Sequence, residues 1–177
     1  RLGEVGLIGH SRGGLIAQKV AETGGVRAAV ALTSAAPRGI LVLSWPVLSR
    51  MVKYLGPIFR SRAFTSSRAD ADALVLNQLS PDRQAWAYER FVPESGWAAR
   101  ELAFGLIAVD EARVRCPLLV VGAERDTITP AAVQRRIARK YGADYREMAG
   151  HGHMLMLEEG WEQPFQQILE WIETRTR

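Results

Sequence analysis

Residues 5–17 read VGLIGHSRGGLIA, and this stretch determines what the rest of the chain can be. The apolar run at residues 5–8 predicts a buried strand, and apolar residues at helical spacing after Gly14 predict a helix. The turn between them is Gly-x-Ser-x-Gly, with Ser11 at its centre. Glycines at positions 9 and 13 leave room for a strained turn, because a Cβ there would crowd the neighbouring strand and helix. The stretch therefore predicts a strand, a tight turn that presents the Ser11 hydroxyl, and a helix.

A turn of this form places a serine at the end of a strand, where it can act as a nucleophile. The N–H of Arg12 opens the following helix, where N–H groups lack intrahelical partners and the helix dipole favours negative charge. We therefore expect this N–H to supply half of an oxyanion hole. Two phosphate-binding motifs are not met, since no glycine lies two residues after Gly9 and position 15 is leucine rather than lysine. The remaining alternative is a glycine-rich turn with an incidental serine.

Composition places the 177-residue chain among globular proteins, with 47% hydrophobic and 24% charged residues. The net charge of +4 comes from scattered arginines and not from a basic run with interleaved aromatics, so nucleic acid is not an expected partner. No segment is long and apolar enough to span a membrane, and we expect a cytoplasmic location. The single cysteine, Cys116, excludes an intrachain disulfide and is expected to be a packed thiol.

Two kinds of pattern divide the chain. Short apolar runs at residues 26–33 and 116–122 and a short predicted strand at residues 144–148 alternate with helical patterns, which predicts an α/β fold with a parallel sheet. Residues 40–113 instead carry amphipathic helical patterns broken by proline and serine. We therefore predict a core of residues 1–39 and 114–177, with residues 40–113 inserted as a helical cap. The large aromatics of this cap either line an acyl pocket or pack the cap on the sheet: Trp45, Phe59, Phe64, Trp86, Phe91, Trp97 and Phe104.

Three side chains with complementary chemistry each follow a predicted strand: Ser11, Asp126 and His153. Because the carboxyl ends of parallel strands lie at one edge of a sheet, we expect these side chains to converge. A serine hydroxyl is a poor nucleophile until a base takes its proton, and a histidine titrates near neutrality. A carboxylate then fixes the histidine tautomer and stabilises the imidazolium. The sequence therefore predicts a Ser-His-Asp catalytic triad.

The motifs, in this order, resemble those of serine-dependent α/β-hydrolases with a helical cap. The similarity rests on the residues Gly9 to Gly14, the strand ending at Gly122 with Asp126 and Pro130 after it, and Gly150-x-Gly152-His153. It implies hydrolysis of a carboxylic ester or a related acyl bond without a cofactor, and the aromatic cap suggests a small apolar substrate. The family pattern places the base directly after the second glycine, which selects His153 over His151.

Each assignment has an alternative. Asp126 either supplies the acid or merely caps the turn before the next helix, and Asp110 is a second candidate for the acid. His151 is either the base, a loop residue or a polar group behind the base. A metal site made of His151, His153 and Asp126 would need more ligands than the nearby sequence offers. The same triad also supports haloperoxidase-like, lyase and C–C hydrolase reactions, and a non-catalytic relative or degenerate fragment is a further alternative.

The resemblance covers only the C-terminal part of a typical family chain. On the order of 100 residues would precede the turn at Ser11 in a complete member, and the loop that supplies the second oxyanion donor would lie there. No His-Gly-Gly-Gly-like segment occurs in this sequence. We therefore expect a fragment that is inactive without its N-terminal half. Its apolar edge at residues 5–8 is expected to pair with that half or to self-associate.

Overall fold

A computed structural model describes residues 5–42 and 44–176. Within these residues four parallel strands form one sheet: β1 (Val5–His10), β2 (Val26–Leu32), β3 (Leu118–Ala123) and β4 (Asp144–Met148). They lie across the sheet in the order in which they occur along the chain. The predicted parallel α/β sheet is thereby confirmed.

The two central strands, β2 and β3, hold the core, and every residue of β3 is buried. Helices α1 (Arg12–Ala21) and α7 (Ala131–Tyr141) pack with Ala31 and Val120 on one face. Helix α8 (Glu162–Arg175) packs with Val30 and Val121 on the other. Successive side chains of a strand point to opposite faces, so both faces of these apolar strands are covered.

Between β2 and β3 lie five short helices: α2 (Trp45–Met51), α3 (Leu55–Phe59), α4 (Arg68–Leu74), α5 (Pro81–Tyr88) and α6 (Gly96–Ala103). Two 3₁₀ turns accompany them, at Val52–Tyr54 and Glu111–Arg113. The helical character predicted for this part of the chain is found, and α6 ends shortly before Gly105, whose φ is 57°. The division into a core and a cap at residues 40 and 113 stays a prediction.

Along the segment from α2 to α3, polar side chains that contact Asp70 lie on one side together with the buried Ile58, and exposed apolar side chains lie on the other. Arg50, Lys53 and Tyr54 all contact the buried carboxylate of Asp70 on α4, with Lys53 Nζ 2.6 Å from Oδ2. Burial opposes ionisation of Asp70, but the hydrogen bonds from Lys53, Ser67, Tyr54 and Arg50 outweigh it and lower its pKa. The opposite side of the segment is exposed and apolar, and it comprises Trp45, Leu48, Val52, Leu55 and Phe59. We call these five residues the outer apolar stripe.

Strand β1 lies at one edge of the sheet and pairs with β2 alone among the described strands. Val5 and Ile8 are therefore 37% and 49% exposed, so residues 5–8 are not the buried strand predicted from their apolar run but the apolar edge that the sequence also predicts. An apolar edge strand is suited to pairing with a further strand, so association through it stays a prediction. Separately, none of the helices described is long and apolar enough to cross a bilayer.

Candidate active site

The turn between β1 and α1 holds Ser11 in a backbone conformation that few L-residues adopt, with φ 53° and ψ −118°. Such a conformation costs on the order of 1–3 kcal/mol and persists only where the surroundings impose it. Here the Ser11 N–H donates to the Leu32 carbonyl at 2.9 Å, and the Ser11 carbonyl accepts from the Ala35 N–H at 2.9 Å. Backbone contacts to β2 and to the segment after it thus fix the serine.

Glycine is required on both sides of this turn, but not at both predicted positions. A Cβ on Gly9 would lie 2.1 Å from the carbonyl oxygen of Gly13, and one on Gly14 would lie 2.5 Å from Ser34 Oγ. A Cβ on Gly13 would meet nothing within 4 Å. The prediction of crowding therefore holds at Gly9 and is wrong at Gly13, because the close approach of helix to sheet falls one residue later.

The structure brings the three predicted side chains into one hydrogen-bonded series. His153 Nε2 lies 3.0 Å from Ser11 Oγ, and His153 Nδ1 lies 2.9 Å from Asp126 Oδ2. Asp126 and His153 are only 4% and 2% exposed. With Nδ1–H donating to the carboxylate, Nε2 is left as the acceptor that faces the serine hydroxyl.

Asp126 is held as an ionised carboxylate. Its Oδ1 accepts from the N–H groups of Ile128 and Thr129, and its Oδ2 accepts from the Thr129 hydroxyl at 2.7 Å. Burial opposes ionisation, but the contacts with His153 and Thr129 outweigh it and hold the pKa of Asp126 below its usual range. Asp126 thus caps its own turn and also contacts His153. Asp110 is exposed and accepts instead from the Ala112 N–H, away from the histidine.

His10 supports the backbone of His153. Its Nε2 donates to the His153 carbonyl at 2.9 Å, and the Thr33 hydroxyl donates to the same oxygen at 3.2 Å. The two imidazole centroids are 4.8 Å apart. Burial, with a smaller effect of the charge on His153, lowers the pKa of His10 to about 4. His10 is therefore neutral at physiological pH.

This burial predicts that acid destabilises the fold. Above pH 6.5 His10 is neutral in both states, but as the pH falls from 6.5 to about 4 the unfolded chain binds a proton that the folded chain refuses. We expect this to remove about 3 kcal/mol from the free energy of unfolding. Denaturant titration of wild type and His10→Gln at pH 7 and pH 4 isolates this loss, since the two proteins differ only at residue 10. Equal losses in the two proteins would contradict this account.

His151 contacts neither Ser11 nor Asp126. It is buried, and its Nδ1 lies 3.1 Å from Oε2 of Glu158, which is itself only 4% exposed. The described residues hold no cluster of three or more histidine, cysteine, aspartate or glutamate side chains suited to a metal ion. Sequence reasoning missed Glu158, because it is one of two adjacent glutamates and only the fold separates their environments.

Two further predicted residues can be placed. Arg12 is the first residue of α1, so its N–H has no intrahelical acceptor. Its guanidinium pairs with Glu94, which links the turn at Ser11 to the segment before α6. Cys116 is half-buried against the core, and burial raises the pKa of its thiol, as expected for a packed residue.

Almost the whole chain is similar to known proteins. The sequence profile of the alpha/beta hydrolase family matches residues 1–171. No curated protein sequence matches. A polyneuridine aldehyde esterase superposes with a TM-score of 0.68 at 16% identity, covering 95% of this chain and 71% of that one. A monoacylglycerol lipase from Paleococcus ferrophilus superposes with a TM-score of 0.64 at 23% identity, and the match covers 98% of this chain and 69% of the lipase. A methylesterase from Arabidopsis superposes with a TM-score of 0.71 at 13% identity, and the match covers 97% of this chain and 70% of the methylesterase.

Proposed function

The chain belongs to the alpha/beta hydrolase family, and from that membership we propose that it is a serine hydrolase acting on carboxylic esters or related acyl bonds. One observation carries the proposal: Ser11, His153 and Asp126 form a continuous hydrogen-bonded series in which the base and the acid are both buried. This is the arrangement that activates a serine hydroxyl, since the base, its orienting carboxylate and the nucleophile are all within hydrogen-bond distance.

In the proposed reaction Ser11 Oγ attacks the acyl carbonyl while His153 Nε2 takes the hydroxyl proton. Asp126 holds the imidazole in the required tautomer and stabilises the imidazolium. The Arg12 N–H binds the oxyanion of the tetrahedral intermediate, where the positive end of α1 adds to the stabilisation. His153 returns the proton to the departing alkoxide, which leaves an acyl group on Ser11. Water, deprotonated by His153, then releases the acid and restores the serine.

We propose an apolar acyl or alkyl group for the substrate. The outer apolar stripe supports this, because Trp45 and Phe59 are 77% and 57% exposed instead of packing the helices onto the sheet. Exposed apolar side chains that lie together on a surface are typical of binding sites. Two of the similar structures are esterases and one is a monoacylglycerol lipase, all enzymes named for ester substrates. The proposed mechanism needs neither a metal ion nor a cofactor.

Steady-state and rapid-mixing kinetics with p-nitrophenyl esters test the proposal. In a protein that includes the expected N-terminal half, we expect a burst of about one equivalent of p-nitrophenol, because acylation of Ser11 precedes a slower deacylation. We also expect the octanoate ester to have a larger kcat/KM than the acetate ester. Mass spectrometry of the acid-quenched reaction should find the acyl group on the peptide that contains Ser11. Hydrolysis without an acyl-enzyme, or an acyl group on another residue, would contradict the proposal.

A further inference from the structure

The loop that carries His153 is held from both sides. On one side, His10 and Thr33 donate to the His153 carbonyl. On the other, Glu158 Oε2 accepts from the Gly152 N–H at 2.8 Å and from His151 Nδ1 at 3.1 Å. The peptide group before Gly152 and the peptide group after His153 are therefore both anchored, one on each side of the two residues Gly152 and His153. The direction in which the imidazole leaves the backbone depends on these anchors.

We propose that Glu158 is a positioning residue for His153, which fixes the proposed base at hydrogen-bond distance from Ser11 by holding the Gly152 N–H and His151. The inference rests on the proposed function for its effect on rate, but not for its effect on structure. Hydrogen bonds to a carboxylate are shorter and stronger than those between neutral groups. A carboxylate that is 96% buried is retained only where such bonds compensate its lost hydration, and here two of them converge on one oxygen.

Only one of the two carboxylate oxygens of Glu158 makes the hydrogen bonds to the loop that carries His153. Glu158 Oε1 is buried and has no hydrogen-bond partner among the described residues, and the same is true of Asn77 Oδ1. A Cβ on Gly152 would lie 3.1 Å from the first of these oxygens and 2.9 Å from the second. The two acceptors thus approach the same point, directly beneath the loop. Only Oε2 is engaged in holding it.

Asn77 itself is fixed in the loop's surroundings. Its Nδ2 donates to the Arg125 carbonyl at 2.8 Å, and the Arg125 N–H donates to the His151 carbonyl at 2.8 Å. The Asn77 amide therefore presents Oδ1, and not Nδ2, to the region of Glu158. A glutamine at position 158 would keep an oxygen on the Gly152 N–H and would place its amide nitrogen near Asn77 Oδ1. The glutamine variant thus retains the positioning contact and loses only the charge.

Three substitutions test the proposal, each made in a protein that includes the expected N-terminal half. We expect Glu158→Ala to lower kcat and the rate of labelling by a fluorophosphonate probe about 100-fold, with KM little changed, because a base displaced by about an ångström loses this much. Glu158→Gln should retain kcat within a few-fold. Glu159→Ala, at the exposed neighbouring glutamate, is the matched control and should behave as wild type.

A readout that does not depend on activity is the low-field proton resonance of Nδ1–H between His153 and Asp126. It should be sharp in wild type, Glu158→Gln and Glu159→Ala, and broadened or lost in Glu158→Ala. If the wild-type protein shows this resonance but neither hydrolyses esters nor labels at Ser11, the proposed function fails while the resonance still tests the positioning. If Glu158→Ala does not fold, Glu158→Asp replaces it, because its carboxylate is withdrawn by one methylene and should also broaden the resonance.

The proposal is overturned if a folded Glu158→Ala variant keeps both the wild-type kcat and a sharp resonance. It is also overturned if Glu158→Gln loses as much kcat as Glu158→Ala, since the charge and not the hydrogen bond to Gly152 would then be responsible. An equal loss in Glu159→Ala would show that any substitution in this segment disturbs the loop, and would likewise contradict a specific role for Glu158.

Discussion

Replacing Ser11 with alanine is expected to lower kcat for ester hydrolysis by about 10⁶-fold, because the members of a triad act as a unit and no second hydroxyl replaces the nucleophile. Ser11 Oγ lies 3.0 Å from His153 Nε2. Cys116 does not substitute for it, since burial raises the pKa of its thiol and it lies at the opposite end of β3 from Asp126.

The variant is expected to fold as wild type does. Alanine keeps the Ser11 backbone, whose N–H and carbonyl make the hydrogen bonds that hold the turn. A fluorophosphonate probe should therefore label wild type at Ser11 and leave Ser11→Ala unlabelled at the same Tm. Ser49→Ala, on the exposed part of α2, is a matched control that should label normally. Equal labelling of wild type and Ser11→Ala would refute the nucleophile.

The two histidines of the loop should differ by orders of magnitude. His153→Ala is expected to lower kcat by about 10⁵-fold, because Ser11 loses its base and Asp126 loses its partner. His151→Ala should cost no more than about 10-fold, since it removes one of the two hydrogen bonds to Glu158 Oε2 and none to the reacting groups. Parallel measurements of kcat and Tm on both variants decide this. The reverse ranking would make His151 the base.

Local signals in the sequence were sufficient where a segment's own residues set its conformation. Pro130 and Gly142, the latter with φ 59°, bound α7, as a proline at a helix start and a glycine at its end indicate. The apolar run before Gly122 and the short pattern at residues 144–148 likewise predict β3 and β4 to within two residues. The order Ser, Asp, His along parallel strands then suffices to predict that these side chains meet.

Features that depend on contacts distant in sequence could not be predicted in this way. His10 lies 143 residues from the carbonyl it supports. Glu158 and Glu159 are identical in the sequence, and only the packing of the histidine loop distinguishes the buried one from the exposed one. Such roles depend on contacts that exist only in the folded structure.

Because β1 lies at the edge of the sheet, we expect the active site to come apart before the sheet unfolds. Among the described strands, β1 before Ser11 pairs with β2 alone, whereas Asp126 follows the interior strand β3 and contacts His153 after β4. Edge elements open locally at a lower free-energy cost than central ones. Fraying of β1 would carry the nucleophile away from an acid–base pair that stays assembled. We therefore expect heating to break the hydrogen bond between Ser11 and His153 before the sheet melts cooperatively.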